Sequence, residues 1–320
     1  MKKGIVIVSF GTTYPGTRRK NIERITEQVR SIYPDAVIEE AVSSRTVRRI
    51  MKEREEIHAL DTGEALEALM KQGVTDAVVF ATHMIDGIEY HRVAEEAGKY
   101  KKDFEVLKIA KALLTEDKDY CAVAKAFWES VKNEVQSMPL ILMGHGTEHA
   151  ADVSYQKMEQ ALREYSNHAV YIATVEGSVT IDDVIGRMKA DKCVESGGEV
   201  MVMPFMLVAG EHANHDMAGE EESFSSKLKE AGYQPKCMIR GIGEYAAVRD
   251  IYMEHLRRMT KDLFLGSRQE GKTGTLYGIG VGPGNPKLIT LEALETIRSC
   301  DVILLPAVSK EECYAYRIVR

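Results

Sequence analysis

A strand-loop-helix rhythm that runs through the chain twice is the feature that most limits what it can fold into. GIVIVSF, residues 4–10, is a short β-branched run closed by Gly11, and RRKNIERITEQVRSIY then places apolar residues at helical spacing up to Pro34. AVIEEAVSS reads as a second strand, TGEALEALMKQGVT as a helix capped by Gly73, and DAVVFATHM as a third strand. The rhythm resumes in PLILMGHGT, a helix over about 152–165, AVYIATVEG, a helix over about 181–192, and EVMVMPFMLVAG. Strands alternating with helices need a mostly parallel sheet covered on both faces, so the expected class is α/β.

The two passes align as copies of one unit. IVSFGTTY matches LMGHGTEH at an offset of 135, setting Phe10 opposite His145. EEAVSSRTV matches IATVEGSVT at an offset of 133, setting Ser43 opposite Glu176, and VVFATHMIDGIEY matches MVMPFMLVAGEHA at 123, setting Glu89 opposite His212. The expected architecture is therefore two similar lobes, about 1–135 and 136–264, each a mostly parallel sheet flanked by helices.

Open parallel sheets bind ligands at the carboxyl ends of their strands. His145 and Glu176 stand at such ends, and His212 follows one after a short loop. Two imidazoles and a carboxylate suit a borderline divalent transition metal, with Glu89 facing them from the first lobe. Gly144 and Gly146, lacking side chains, would let a large planar ligand approach the backbone beside His145. A single histidine at a strand end is more often a hydrogen-bonded structural residue than a ligand; three such positions shift the balance toward a site. His149, His215 and Asp216 are weaker candidates, and packing is the favoured role of His83. Tyr14, Arg18 and Arg19 follow the first strand and suit either contacts to ligand carboxylates or simply the start of a helix.

Composition excludes several alternatives. A formal net charge of -7 argues against a nucleic-acid partner, and no apolar run approaches the roughly 20 residues of a membrane span. The five cysteines are scattered without a C-x-x-C pair, so reduced thiols and a cytoplasmic setting are expected. The apolar run after Lys2 and Lys3 is shorter than the roughly 7 to 15 residues of a secretory signal.

VSFGTTY, THMIDGIEY, LMGHGTEHA, ATVEG and PFMLVAGEHANHDMAGEEESF together resemble the anaerobic (class II) cobalt chelatase family over about residues 1–262. The resemblance implies a metal chelatase, a lyase of cobalamin biosynthesis. It would insert Co(II), as substrate metal, into sirohydrochlorin or precorrin-2 without nucleotide. It makes His145, Glu176 and His212 the metal ligands, sets Glu89 across the tetrapyrrole cleft, and gives His145, Glu89 and His212 the catalytic roles. Against the family pattern, His215 stands where asparagine is usual, and Glu222, Ser223 and Phe224 replace Asp-Ser-Trp.

After a polar linker over 265–273, TLYGIGVGPGNPKLITLEALETIRSCDVILLPAVS resembles the opening of the tetrapyrrole methyltransferases, most closely the precorrin-2 (cobalt-factor II) C-20 enzyme. The resemblance implies that Gly280, Gly282, Pro283 and Gly284 begin an S-adenosylmethionine site, complete only in a complete domain. Residues 274–320 would then be an incomplete methyltransferase domain joined to the chelatase at 1–264. An iron or nickel chelatase of the same fold and a non-catalytic metal or tetrapyrrole carrier are the alternatives. A homo-oligomer is left open.

Overall fold

The computed structural model describes residues 2–195, 197–264, 277–281, 285–300, 303, 305 and 313–319. Two compact units, Met1–Gly266 and Ser267–Arg320, divide the chain.

In the first unit, β1 (Lys2–Ser9), β2 (Val37–Val42), β3 (Val74–Ala81) and β4 (Val106–Ile109) form a sheet in the order β2-β1-β3-β4. β5 (Leu140–Gly144), β6 (Val170–Thr174), β7 (Glu199–Pro204) and β8 (Gln234–Cys237) form another in the order β6-β5-β7-β8. Every ladder is parallel, and the second sheet repeats the order of the first. The strands are apolar because helices cover both faces, and Ile5 to Val8, Leu140 to Met143 and Val200 to Met203 are buried.

The helices of the first lobe are α1 (Pro15–Arg18), joined through a π-turn to α2 (Arg24–Ile32), then α3 (Arg45–Glu55), α4 (Thr62–Lys71) and α5 (Ile88–Lys99). Next comes α6 (Asp117–Val135), which leads to α7 (Val153–Ser166), α8 (Ile181–Asp191), α9 (Phe224–Glu230) and α10 (Ala246–Phe264) in the second lobe. Reciprocal caps fix several starts: Asp61 and Glu64 for α4, Thr180 and Asp183 for α8, Ser223 and Ser226 for α9.

One continuous core runs through both lobes, joining Ile5, Phe80, Phe127, Leu140, Met203 and Tyr252. α10, the last helix of this unit, returns to the first lobe: the Tyr252 hydroxyl donates to the Thr82 carbonyl at 2.9 Å, and buried His255 meets Asp119 at 3.1 Å. The lobes therefore hold a defined cleft.

The ladders correct one detail of the repeat. Ser44 N–H donates to the Phe10 carbonyl, as Glu176 N–H donates to that of His145. The structural counterpart of Glu176 is thus Ser44, not Ser43, because the ladders set Val42 against Thr174, an offset of 132 along the whole of β2 and β6. At the other two alignments the register agrees: Ile7 pairs Phe80 where Leu142 pairs Met203.

The second unit contains α11 (Leu291–Ser299), with Thr290 as its cap, and α12 (Tyr314–Val319). Gly280 lies in an irregular segment before α11. Gly282, Pro283, Gly284 and the linker 265–273 lie outside the described residues.

Candidate active site

The carboxyl ends of both sheets open onto a cavity of about 680 Å³ lined by both lobes. His145, Glu176 and His212 line it from the second lobe and Glu89 from the first. Among the described residues no helix is long and apolar enough to cross a membrane.

His145 follows β5 directly. Its backbone carbonyl accepts from Glu176 N–H at 2.8 Å, so the loops after β5 and β6 are stitched together at the two residues of interest. Buried Asp152 strengthens the stitch. It accepts from Thr147 N–H at 3.1 Å in the first loop, and from Ser178 N–H at 2.8 Å and the Ser178 hydroxyl at 2.6 Å in the second.

The flanking glycines also serve this packing. A Cβ on Gly144 would stand 2.3 Å from the Tyr155 ring, and one on Gly146, at φ +80°, only 2.2 Å from the Gly177 nitrogen. Tyr155 is wedged beneath the loop, and burial pushes its hydroxyl up to about 12.

Side-chain geometry aims the two imidazoles. His145 Nδ1 lies 3.0 Å from the Gly146 carbonyl and 3.8 Å from Glu176 Oε2. An Nδ1–H donated to that carbonyl leaves the Nε2 lone pair for a metal. His212 Nδ1 is 2.6 Å from Asp216 Oδ2, a carboxylate–imidazole pair that again frees Nε2. The two rings sit edge to face with centroids 4.8 Å apart. All three side chains remain partly exposed to the cleft. Among the described residues no three His, Cys, Asp or Glu side chains are gathered closely enough to hold a metal ion. His145 is the member that stands near each of the other two.

Glu89 sits in the first turn of α5, where Gly87 caps the helix. Arg92 holds its Oε1.

The remaining polar candidates are engaged elsewhere. His83 lines the cavity, with Nε2 3.3 Å from the Ser43 hydroxyl and a buried, unpartnered Nδ1; the protein packed around it pushes its pKa down to about 4. His149 accepts from Ala151 N–H and stacks near His91, and His215 pairs with Glu211. Arg18 is committed to Glu55, at 2.6 Å and 3.1 Å, so it is not available to a ligand carboxylate. Tyr14 donates to Glu211 Oε2 at 2.7 Å, bridging the lobes.

Sequence reasoning missed Arg54 and Arg92, which line the cavity, and did not foresee the stitching by Asp152. The spacing Thr46, Ile50, Arg54 on one helical stripe was the signal for the first.

Two repeated parallel α/β lobes with imidazole and carboxylate groups on one wall of a shared cleft define a chelatase-type protein. The chain belongs to the cobalt chelatase (CbiK) family, whose model matches residues 3–261. Residues 275–320 match the tetrapyrrole (corrin/porphyrin) methylases. The sirohydrochlorin cobaltochelatase of Salmonella typhimurium is 29% identical over 259 residues, 81% of this chain and 96% of the relative. SirB from Bacillus subtilis, solved with Fe3+, shares the fold at 16% identity with a TM-score of 0.59, covering 82% of this chain and 99% of its own. The C-terminal 46-residue stretch is 44% identical to a probable cobalt-precorrin-2 C(20)-methyltransferase of Methanocaldococcus jannaschii, spanning 14% of this chain and 20% of that relative.

Proposed function

We propose that the first unit is a sirohydrochlorin cobaltochelatase, inserting Co(II) into sirohydrochlorin or precorrin-2 without nucleotide. The observation that carries this is the pair of aimed imidazoles on one wall of a cleft of macrocycle-binding size, in a chain of the cobalt chelatase family. A cavity of this volume falls within the roughly 300–1,000 Å³ of small-molecule sites.

In this reading the substrate metal binds Nε2 of His145, Nε2 of His212 and the Glu176 carboxylate. Their open spacing is an advantage, since a closed set of ligands would retain the ion that must be handed to the ring. Metal insertion replaces two pyrrole N–H protons by one Co(II), and both protons must leave. Glu89 Oε2 accepts the two protons one after the other and passes each to the solvent of the open cleft; a metal-bound imidazole nitrogen has no lone pair left for the task. Asp216 and the Gly146 carbonyl hold the imidazoles in the tautomer that points Nε2 at the metal.

All these groups come from one chain, so the site needs no homo-oligomer. The five free cysteines suit a cytoplasmic setting. The second unit represents the opening of a tetrapyrrole C-20 methyltransferase, whose S-adenosylmethionine site would begin at Gly280, Gly282, Pro283 and Gly284.

The test is anaerobic absorbance of sirohydrochlorin with Co(II) at substoichiometric protein. Multiple turnovers are expected. Conversion that stops at one equivalent of protein favours a carrier, and preferential turnover with Fe(II) or Ni(II) in competition favours another metal.

A further inference from the structure

Resting on the reading of the cleft as a tetrapyrrole site, we infer that Arg54 anchors a peripheral carboxylate of the macrocycle. The lining contains two guanidinium groups, Arg54 and Arg92. Arg92 is neutralised by Glu89. Arg54 is exposed and has no carboxylate within ion-pair distance among the described residues; its acidic neighbours Glu53 and Glu55 are taken by Arg49 and Arg18.

The surroundings sharpen the assignment. Four carboxylates, Glu89, Glu148, Glu176 and Glu211, also line the cavity, and a polyanionic ligand is repelled wherever they stand uncompensated. The α3 wall is different. It presents Thr46, Val47, Ile50 and Arg54 to the cavity, an apolar stripe that ends in a free cation. From Val47 to Arg54 the helix advances about 10 Å, a distance matched to a ring body lying on Ile50 with a side-chain acid reaching the guanidinium. The charge of Arg54 also reaches Tyr14, whose hydroxyl bridges to Glu211 in the other lobe, so the cation stands by the rim where the lobes meet. Arginine's planar fork takes a carboxylate in two parallel bonds, giving orientation as well as affinity.

Acetate or propionate groups on the ring edge are therefore read at Arg54, and a ring lacking them would be held poorly. The experiment is titration of the full chain with sirohydrochlorin in the absence of metal, followed by absorbance, for wild type, Arg54→Ala and Arg54→Lys. Arg54→Ala is expected to bind about tenfold more weakly, with Arg54→Lys between the two. Wild-type affinity should also fall more steeply with added salt than that of Arg54→Ala, and turnover should show the loss in KM rather than kcat. Equal affinity of wild type and Arg54→Ala overturns the inference alone. No binding by the wild type overturns the reading of the cleft on which it rests.

Discussion

In the first lobe β1 leaves its sheet through Gly11 at φ +93°, and in the second β5 leaves through Gly146 at φ +80°. These glycines are equivalent in the repeat, and the strands before them keep the same register with their neighbours. The residue just before each glycine differs: Phe10, an exposed aromatic on the cavity wall, against His145. Ser44 stands where Glu176 does, and Glu89 where His212 does. A common scaffold thus carries the proposed metal donors on one side. On the other it carries an apolar wall of Phe10, Ile50 and Ile88, ended by Arg54 and holding one carboxylate. The repeat presents two equivalent sheet edges to one cleft, and in the proposed function their difference lets metal and macrocycle arrive from opposite walls.

That division is most exposed to failure at the equivalent pair Phe10 and His145. Removing the imidazole in His145→Ala is expected to lower multiple-turnover Co(II) insertion by on the order of a hundredfold or more, as loss of a metal ligand does. Phe10→Ala should raise KM for the tetrapyrrole and leave kcat within a few fold. Similar kcat losses in both variants, measured by anaerobic absorbance, would erase the distinction between the walls.

Glu89 and His212 sharpen it from the other direction. Glu89→Gln keeps the shape but removes the proton acceptor, and kcat should fall about a hundredfold with Co(II) affinity unchanged. Asp216→Asn should weaken Co(II) binding by about tenfold, because the amide no longer fixes the His212 tautomer. Isothermal titration with Co(II) separates the two, and a metal-affinity loss in Glu89→Gln would move that residue to the metal wall.

The glycines test the scaffold itself. An alanine at either position is strained by about 1–2 kcal/mol. At Gly11 the new Cβ meets the Val42 and Val47 side chains at 2.5 Å and 2.9 Å, which can shift; at Gly146 it meets the Gly177 backbone at 2.2 Å, which cannot do so cheaply. Gly146→Ala should therefore be the more destabilising by about 1–2 kcal/mol in urea unfolding. Equal losses would mean that the two loops are held equally tightly.

How far this was legible in the sequence varied with the kind of residue. β1, β3, β5 and β7 announce themselves because burial on both faces demands unbroken apolar runs, and the glycines and histidines that end them mark the cleft. α3, with the sequence RTVRRIMKERE, carries too little apolar surface to stand out as a helix, yet its stripe supplies the wall that ends in Arg54. Arg18 and Arg19 drew attention instead, being nearer to β1 in sequence; only the fold reveals that Glu55 has claimed Arg18. Asp152 and Asp216 act through other residues, and such roles leave no pattern of spacing in a single chain.

The smallest expected effect concerns His83, which lines the first lobe's side of the cleft but carries none of the proposed metal chemistry. Its ring is held among Ser43 and apolar neighbours, and burial pushes its pKa from an ordinary 6.5 down to about 4. Between those values the unfolded chain binds a proton that the folded chain excludes. Stability attributable to His83 is therefore fully present above about pH 6.5 and is lost as pH falls toward about 4. The full shift corresponds to an upper bound of about 3 kcal/mol; the ring's partial opening to the cavity reduces the expected loss to about 1 kcal/mol. Urea unfolding at pH 7 and pH 4.5 should show a smaller difference in His83→Asn than in wild type, because the variant removes this titration and leaves the other histidines in place. The same pH dependence in both proteins would show that the cleft admits enough water to solvate the imidazolium, and the first lobe's wall would then be less dry than its apolar lining implies.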